Sequence, residues 1–465
     1  MSTILGLVVP WGLLAVFLYR ARKARIFLLG IPFLMFMGES VFFDRMKVFH
    51  TPGRLDPYVL LLIWMLIVWA ATTGRIALPG GGPSTPPMRS RRTVRFLPEE
   101  LAVLAIGAIS LGHVVVEAVR SADFVGAFER GFGMLTMVLG YYLVRDIVSH
   151  ATRREVISFL SMVVVANAIA TTLFIIHQAL PVDIYPRIES SVVIEGQVIT
   201  RTLYFAPRFI VLTLAFVFAR RRWGGVWAIV LLTTLLGIML SFTRTLLLVA
   251  IVALLLAVGA REIKTPSTGR LLRRAVAIAA FGMLLLWGFV TFLPAPAHYF
   301  EQRLAGLSGD AAIASDSSFV VRTEFLAATV DIVRRRDLAF GLGFPLASQE
   351  ASVANVTVWG ADMAWILVVY RLGLAGVLAF AVVYVGHAIR AFLLFMRDPD
   401  EGEYLGLVYF VAIVAGLTYT GVSRTFMEPN LLPMGLWLFA FVAAEARRRR
   451  PEAMLPSLGA SSSSA

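Results

Sequence analysis

The chain passes repeatedly through stretches of about 20 consecutive apolar residues, the length that an α-helix needs to cross the hydrocarbon core of a bilayer. Of its 465 residues, 58% are hydrophobic and only 15% are charged, and the mean hydropathy is +0.80. Soluble domains carry roughly 25% charged residues. This balance excludes a water-soluble enzyme, a disordered chain and a nucleic-acid module. The sequence predicts an all-α polytopic membrane protein.

The apolar runs predict about 12–13 transmembrane helices. Basic residues follow the first run and do not precede it, which predicts a retained span and not a secretory signal. Successive loops must alternate between the two sides of the membrane, and most of the 42 Lys and Arg residues then fall on the same side. The positive-inside rule predicts that this side is the cytoplasm. The N-terminus is then outside and the C-terminus inside. The runs lie at about 3–19, 26–43, 58–73, 99–119, 124–144, 156–178, 203–219, 226–241, 245–259, 275–293, 362–389, 404–420 and 430–446.

Composition divides the chain into five segments. The absence of cysteine excludes disulfides and thiolate metal sites. Glycine and proline predict a flexible cytoplasmic linker at 79–92 within the first segment. The segments are N-terminal transmembrane helices at 1–200, transmembrane helices with the first arginine motifs at 201–293, a periplasmic loop at 294–361, C-terminal transmembrane helices at 362–446, and a disordered cytoplasmic tail at 447–465.

The long outer loop at 294–361 contains a predicted amphipathic helix. Asp316 and Ser317 supply side chains that cap a helix start, and apolar residues then recur at helical spacing. Arg322 lies on the edge of the apolar face, so we expect it to turn inward over the membrane domain. The alternative is an arginine that extends to lipid headgroups. The apolar face comprises Val321, Phe325, Ala328 and Ile332, flanked by Leu326 and Val333.

Three further arginine motifs fall at predicted outer turns. A Ser-Phe-Thr-Arg turn between two apolar runs ends at Arg244, which is either a headgroup anchor or a ligand of an anion. Arg201 and Arg208 flank the start of a span, where Pro207 would kink or begin the helix. Arg424 lies in the last outer turn, where it could equally form a plain surface ion pair.

Other polar groups also fall near the outer ends of spans, which predicts a polar vestibule that opens outward. We assign Glu129 and Arg130 to a structural pair first. No ATP or nucleotide sugar is supplied on that side, so a substrate would arrive already activated on a lipid. The remaining groups of this set are Glu39, Glu117 and His177.

Asp362 stands where the long loop re-enters the membrane, and it is a candidate site residue. Arg371 follows nine residues later, about 13 Å deeper and half a turn around the helix. The two side chains cannot share one face unless the stretch 373–376 breaks the helix. We therefore interpret Arg371 as structural.

Together these elements, from about 201 to 428, resemble the bacterial family of O-antigen ligases and of O-antigen and exopolysaccharide polymerases. The family has a serine/threonine-arginine turn between two helices, which the turn ending at Arg244 matches. It also has an arginine helix followed by a Gly-x-Gly turn, matched by Arg322 and Gly341-Leu-Gly343. Family ligases carry a His-Asn pair eleven residues before a Gly-Leu-Ile-Gly stretch. Here Asp362 and Met363 occupy those positions, a departure that favours a polymerase.

The resemblance implies a fold like the multi-span, GT-C-like, lipid-dependent glycosyltransferases. The donor would be a glycan on undecaprenyl diphosphate, and the acceptor a sugar hydroxyl on a lipid-linked repeat unit (polymerase) or on a lipid A core (ligase). Such enzymes work at the periplasmic face of the bacterial inner membrane without a metal or another cofactor. Besides the bilayer, a chain-length regulator is a candidate partner; nucleic acid is not.

A mechanism without metal follows from arginines in a partly dry vestibule. They would stabilise the charge that develops on the departing diphosphate, at about 1.5–3 kcal/mol for each charge-assisted contact. Asp362 would accept the proton of the attacking hydroxyl, a role that contributes about 10²–10⁴-fold. Attack opposite the diphosphate inverts the anomeric centre. Arg244 and Arg322 are the first catalytic candidates, and the predicted diphosphate-binding residues are Arg201, Arg208, Arg244, Arg322 and Arg424.

Two other classes remain open on the sequence: a secondary transporter or lipid flippase, and a structural membrane protein. Many transporters contain internal repeats and bind substrate near the bilayer midplane, and this chain shows neither feature clearly. A scaffold leaves the arginines at successive outer turns without a shared role. We expect a transporter to tolerate replacement of much of the loop 294–361 by a short linker, whereas the enzyme would not.

Overall fold

The structure is a computed structural model, and its helices agree closely with the predicted apolar runs. Between 269 and 301 it describes only isolated positions. The described residues are otherwise 2–37, 57–73, 96–122, 124–179, 190–194, 197–201, 207–220, 224–241, 244–266, 317–336, 338–343, 352–353, 356–357, 364–398, 405–420 and 432–449. The predicted linker at 79–92 lies outside them, as does most of the run at 275–293. The predicted disordered tail at 447–465 is wrong at its start, because the last helix continues to Arg449; the rest of the tail lies outside the described residues.

Helices make up almost all of the described chain, in agreement with the predicted class. A short 3-10 helix, Arg25–Leu29, lies between the first two α-helices. The α-helices are α1 (Ser2–Ala21), α2 (Gly30–Met37), α3 (Pro57–Thr72), α4 (Pro98–Ser121), α5 (Phe124–Ser149), α6 (Arg153–Ala179), α7 (Pro207–Ala219), α8 (Gly225–Leu240), α9 (Arg244–Lys264), α10 (Ser317–Arg336), α11 (Ala364–Met396), α12 (Leu405–Thr420) and α13 (Leu432–Arg449).

Two short antiparallel hairpins are an addition that the sequence analysis did not predict. β1 (Ser190–Ile194) pairs with β2 (Gln197–Arg201), and β3 (Ser352–Val353) pairs with β4 (Val356–Thr357). Both hairpins lie in connections between helices, at predicted outer loops. The membrane part of the fold therefore remains helical, as backbone hydrogen bonding in a bilayer requires.

Four of the described helices are long and apolar enough to cross a membrane, and shorter apolar helices accompany them. The chain is thus a membrane protein with an all-α membrane region. A stripe of exposed leucine, valine and isoleucine follows one face of α11, as expected of a lipid-facing surface. Its members are Leu374, Leu378, Val382, Val385, Ile389 and Leu393. The four long helices are Pro98–Ser121, Arg153–Ile176, Thr245–Lys264 and Trp365–Met396.

The core forms around α5, which packs against α3, α4 and α13, while α11 packs against α4 and α12. Gly140 on α5 permits close contact with α13, because an added Cβ would lie 2.7 Å from Nε1 of Trp437. Phe33 of α2 contacts the rings of Phe159 and Trp437, with centroids 5.2 and 5.6 Å apart. Large aromatic side chains therefore fill the space between helices of both halves of the chain.

A buried charged cluster fastens one end of α4 to three other helices. Glu100 accepts hydrogen bonds from Arg145 of α5 (3.0 Å) and from Arg447 of α13 (2.7 Å), and Glu99 pairs with Arg390 of α11. Both carboxylates are almost fully buried. We call these five residues the glutamate cluster. Removing either buried acid would leave guanidinium groups without their counter-ion, so the cluster fixes the relative positions of the helices.

A second ion pair and a buried histidine reinforce the same end of the bundle. Arg153 of α6 donates two hydrogen bonds to Asp398, at 2.9 and 2.5 Å. His387 of α11 is fully buried, and its Nδ1 donates to the carbonyl of Val383 at 2.7 Å. Its Nε2 is therefore the acceptor for the hydroxyl of Tyr141, at 3.0 Å. Most of these basic residues were predicted to face the cytoplasm, and here they pair with acids or carbonyls.

Candidate functional site

α11 is broken at Gly373, nine residues after its start. The backbone of this residue has φ 60° and ψ −158°, a region that is essentially restricted to glycine. A break in a helix exposes N–H and carbonyl groups that a bilayer cannot satisfy, so other protein groups must bind them. The break therefore requires a partner segment.

That partner is the turn 338–343, which follows α10 in the long loop. We call the contact between this turn and residues 370–375 of α11 the glycine junction. The N–H groups of Leu342 and Gly343 donate to the carbonyls of Tyr370 and Arg371 (2.7 and 3.0 Å), and those of Leu374 and Ala375 donate to the carbonyls of Leu338 and Ala339 (3.0 and 2.9 Å). The turn thus takes the place of the missing helical hydrogen bonds.

Three glycines make this close approach possible. Gly341 and Gly343 have φ values of 76° and 74°, which favour glycine. A Cβ on Gly341 would lie 2.5 Å from the backbone nitrogen of Gly373, and a Cβ on Gly373 would lie 2.5 Å from that of Gly341. The predicted Gly-x-Gly turn and the predicted glycine stretch of α11 are therefore two halves of one contact.

α4 contributes a side chain to the same contact. Nε2 of His113 lies 2.7 Å from the carbonyl oxygen of Phe340 in the turn. The imidazole ring also lies beside Gly343, where an added Cβ would be 2.7 Å from Nδ1 of His113. Glu117, one turn further along α4, is half-buried. The junction thus unites the loop with two membrane helices.

Helix α10 begins at Ser317, where the sequence predicted a helix start, and it packs against the first part of α11. Val333 is fully buried and forms a small apolar cluster with Ile366 and Tyr370. Thr329, one turn earlier, is also fully buried. The helix therefore lies against the membrane helix on its Thr329–Val333 face.

The predicted apolar face of α10 is confirmed only in part. Ala328 and Ile332 are only half-buried, whereas Val333, predicted as a flanking residue, is the residue at the centre of the contact. Leu326 is 37% exposed. The buried face is centred about one residue further along than predicted, on Thr329 and Val333, and Ile332 packs at the edge of the same cluster. The side chains of Val321 and Phe325 are not described.

Arg371 lies inside the junction and is only 7% exposed. Its carbonyl accepts the N–H of Gly343, so its backbone belongs to the structural contact. The break at Gly373 comes after Arg371, which therefore lies in the first, unbroken part of α11. Asp362 itself lies outside the described residues.

Four of the candidate arginines lie in described helices or strands, but the structure does not describe their side chains. Arg201 is the last residue of β2, and Arg208 is the second residue of α7, which Pro207 begins. Arg244 is the first residue of α9, and the preceding helix ends at Leu240, so the predicted motif does fall between two helices. Arg322 lies in α10. Their common role as diphosphate ligands stays a prediction.

The other predicted polar groups are also only partly described. Arg424 and Glu39 lie outside the described residues. Glu129 and Arg130 lie in the first turns of α5, and His177 near the end of α6, but the side chains of these three are not described. The predicted outward vestibule, which combines these groups, therefore stays a prediction.

Sequence reasoning missed two polar features of the described structure, the glutamate cluster and the contribution of His113. Two adjacent acids, Glu99 and Glu100, at the start of a span were a signal for the first. His113 is a single polar residue in an apolar run and gives little indication of its partner. Within the described parts of the chain, no group of three or more acidic or histidine side chains has an arrangement suited to a metal ion.

Comparison with known proteins does not assign the chain to a family. The chain matches none of the protein families against which it was compared, and none of the curated proteins. The arguments about function therefore rest on the residues and on the geometry of the junction.

Proposed function

We propose that the chain is a membrane glycosyltransferase that transfers a glycan from undecaprenyl diphosphate to a sugar hydroxyl at the periplasmic face of the bacterial inner membrane. The acceptor is a second lipid-linked repeat unit, so that the product is an exopolysaccharide or O-antigen chain. The observation that supports this proposal is the glycine junction. It joins the two glycine motifs on which the family resemblance depends.

Beside the junction, α10 packs against α11, and the chain segments that carry two of the candidate catalytic residues belong to or adjoin these helices. Arg322 precedes Thr329 by seven residues, about two helical turns, so its backbone falls on the face of α10 that packs against α11. Asp362 precedes the first residue of α11 by two residues, which is at most about 7 Å of chain. Both candidates are thus tied to the same pair of packed helices.

The proposed chemistry is a single displacement. The acceptor hydroxyl attacks the anomeric carbon, its proton passes to Asp362, and the bond from that carbon to the diphosphate oxygen breaks with its electron pair on the leaving group. Arg322 and Arg244 stabilise the negative charge that develops there, which lowers the barrier if the contacts are stronger in the transition state. Undecaprenyl diphosphate departs, and the anomeric centre is inverted.

The test uses the purified full chain in liposomes with a fluorescent oligosaccharide on undecaprenyl diphosphate as donor and acceptor. We expect Arg322→Ala and Asp362→Asn each to lower the rate of chain elongation at least about 100-fold, because each removes a transition-state interaction. Arg335→Ala is the matched control: it removes an exposed arginine from the same helix and should leave the rate unchanged. Full activity in both first variants contradicts the mechanism.

Replacing the loop 294–361 does not separate an enzyme from a transporter, contrary to the expectation from sequence. Residues 338–343 supply four hydrogen bonds to the break in α11, so their loss would damage the membrane helix whatever the function. Release of free undecaprenyl diphosphate is the better measurement, because transport alone produces none. Transfer to a lipid A core, with no elongation of repeat units, would identify a ligase.

A further inference from the structure

We infer that His113 is a positioning residue: it holds the turn 338–343 on the broken helix, and so fixes α10 over the membrane domain. The structural part of this inference is independent of the reaction. The part that concerns catalysis rests on the proposed function, because Arg322 lies on the helix that the turn anchors.

The hydrogen bond defines the state of the imidazole. A carbonyl oxygen can only accept, so Nε2 of His113 carries the proton that is donated to Phe340. The other side of the imidazole lies against the backbone of Gly343. A Cβ added to Gly343 would lie 2.7 Å from Nδ1 of His113. One side chain therefore contacts two positions of the turn, one by a hydrogen bond and one by van der Waals contact.

α4 is suited to this role because its far end is fixed. Glu99 lies 14 residues before His113, about 21 Å along the helix, and pairs with Arg390 of α11. Helix α4 thus binds α11 directly at the glutamate cluster, and at its other end it binds, through His113, the turn that is bonded to α11. The imidazole projects from a helix that is already held against α11, so it offers the turn a fixed point of attachment.

The backbone bonds of the junction and the histidine restrain different parts of the turn. The four backbone bonds involve Leu338, Ala339, Leu342 and Gly343, whereas Phe340, at the tip between them, is bound by His113. Without the imidazole, the four backbone hydrogen bonds should still form, but the turn should detach from α11 more often. A net hydrogen-bond contribution of about 1–1.4 kcal/mol corresponds to a fivefold to tenfold increase in opening.

Two substitutions separate the hydrogen bond from the bulk of the ring. His113→Ala removes both contacts. His113→Gln keeps a side-chain N–H at a similar distance from the backbone, so it should restore the bond to Phe340. His298→Ala is the control, since His298 is a half-exposed histidine of the same long loop that pairs with Glu301, three residues later.

The experiment measures the opening of the junction directly with trypsin. Arg334 and Arg335 lie in the last turn of α10, three to four residues before the turn, and both are exposed. Cleavage at a helical peptide bond requires local unfolding, so its rate reports how often the turn detaches. The full chain in detergent is digested briefly, and mass spectrometry quantifies cleavage after these two arginines.

We expect cleavage to be about fivefold to tenfold faster in His113→Ala than in the wild type, and at the wild-type rate in His113→Gln and His298→Ala. Equal rates in His113→Ala and the wild type would overturn the inference. Fast cleavage in His113→Gln would also overturn it, because the hydrogen bond would then not be the restraint.

The transfer assay adds the catalytic part. If the proposed function is right, kcat of His113→Ala should fall by a similar factor with little change in KM, and His113→Gln should recover it. A positioning role would be contradicted by a change in KM with no change in kcat, or by a kcat that does not recover in His113→Gln. If the wild type transfers no glycan, the proposed function fails, while the cleavage rates still decide whether His113 holds the turn.

Discussion

The glutamate cluster and the glycine junction both hold α11 in place, and the two contacts use opposite chemistry. At the glutamate cluster, Glu99 and Glu100 bind arginines from three helices, so the contact depends on side-chain charge. At the glycine junction, backbone groups bind one another around Gly341 and Gly373, so the contact depends on the absence of side chains. The glutamate cluster requires specific charged side chains, and the glycine junction requires that two backbone segments can approach closely.

The glutamate cluster and the glycine junction therefore tolerate different kinds of substitution. A buried ion pair is sensitive to the loss of one partner, because the other charge is then left without compensation. A backbone contact is insensitive to charge but cannot accommodate even one additional carbon atom. Three predictions follow this contrast, and each compares a substitution with a matched control measured by unfolding in mixed micelles.

The largest effect should come from Glu100→Gln. This change keeps the shape of the side chain but removes the charge that compensates Arg145 and Arg447. We expect the free energy of unfolding to fall by about 3–5 kcal/mol. Glu155→Gln is the control: Glu155 accepts the N–H of Thr152 three residues earlier, as Glu100 does that of Leu97, but in a solvent-exposed position. A loss below 1 kcal/mol in Glu100→Gln would mean that water reaches the cluster.

The next effect should come from Gly373→Ala. The backbone strain of a non-glycine residue there costs about 1–3 kcal/mol. The added Cβ would also lie 2.6 Å from the carbonyl oxygen of Ala339, so the turn must move. We expect a loss of about 3 kcal/mol, together with faster cleavage after Arg335. Gly112→Ala on α4, where an added Cβ meets nothing within 4 Å, should cause no loss. Equal stability of the two variants would refute the role of the break.

The sequence was sufficient to predict most helices because apolar runs of this length determine them locally. The described helices begin and end within a few residues of the predicted runs, and α9 begins at Arg244 as the turn motif required. The same reasoning found the glycines of both motifs. It did not find that Gly341 contacts Gly373, because a backbone contact between distant segments leaves no periodic pattern in either of them.

The glutamate cluster was missed for a different physical reason. Arginines near cytoplasmic ends are expected in any membrane protein, so Arg145, Arg390 and Arg447 indicate an orientation but no particular partner. Which acid each arginine binds depends on how the helices pack, which their composition does not determine. For the candidate site, sequence indicated the helix that bears Arg322 but not the rotation of its buried face.

The smallest effect should come from Arg335→Ala, which sharpens the contrast between buried and exposed charges. Arg335 and Asp331 form an ion pair at 2.7 Å, one turn apart on α10, but their side chains are 76% and 54% exposed. Exposed pairs of this kind contribute about 0.3–0.5 kcal/mol, so the change should be close to the error of the unfolding measurement. Asp331→Ala should match it. A loss above 1 kcal/mol in either variant would show that this face of α10 is covered in the folded protein, and that the charges on it resemble the glutamate cluster more than a solvated surface.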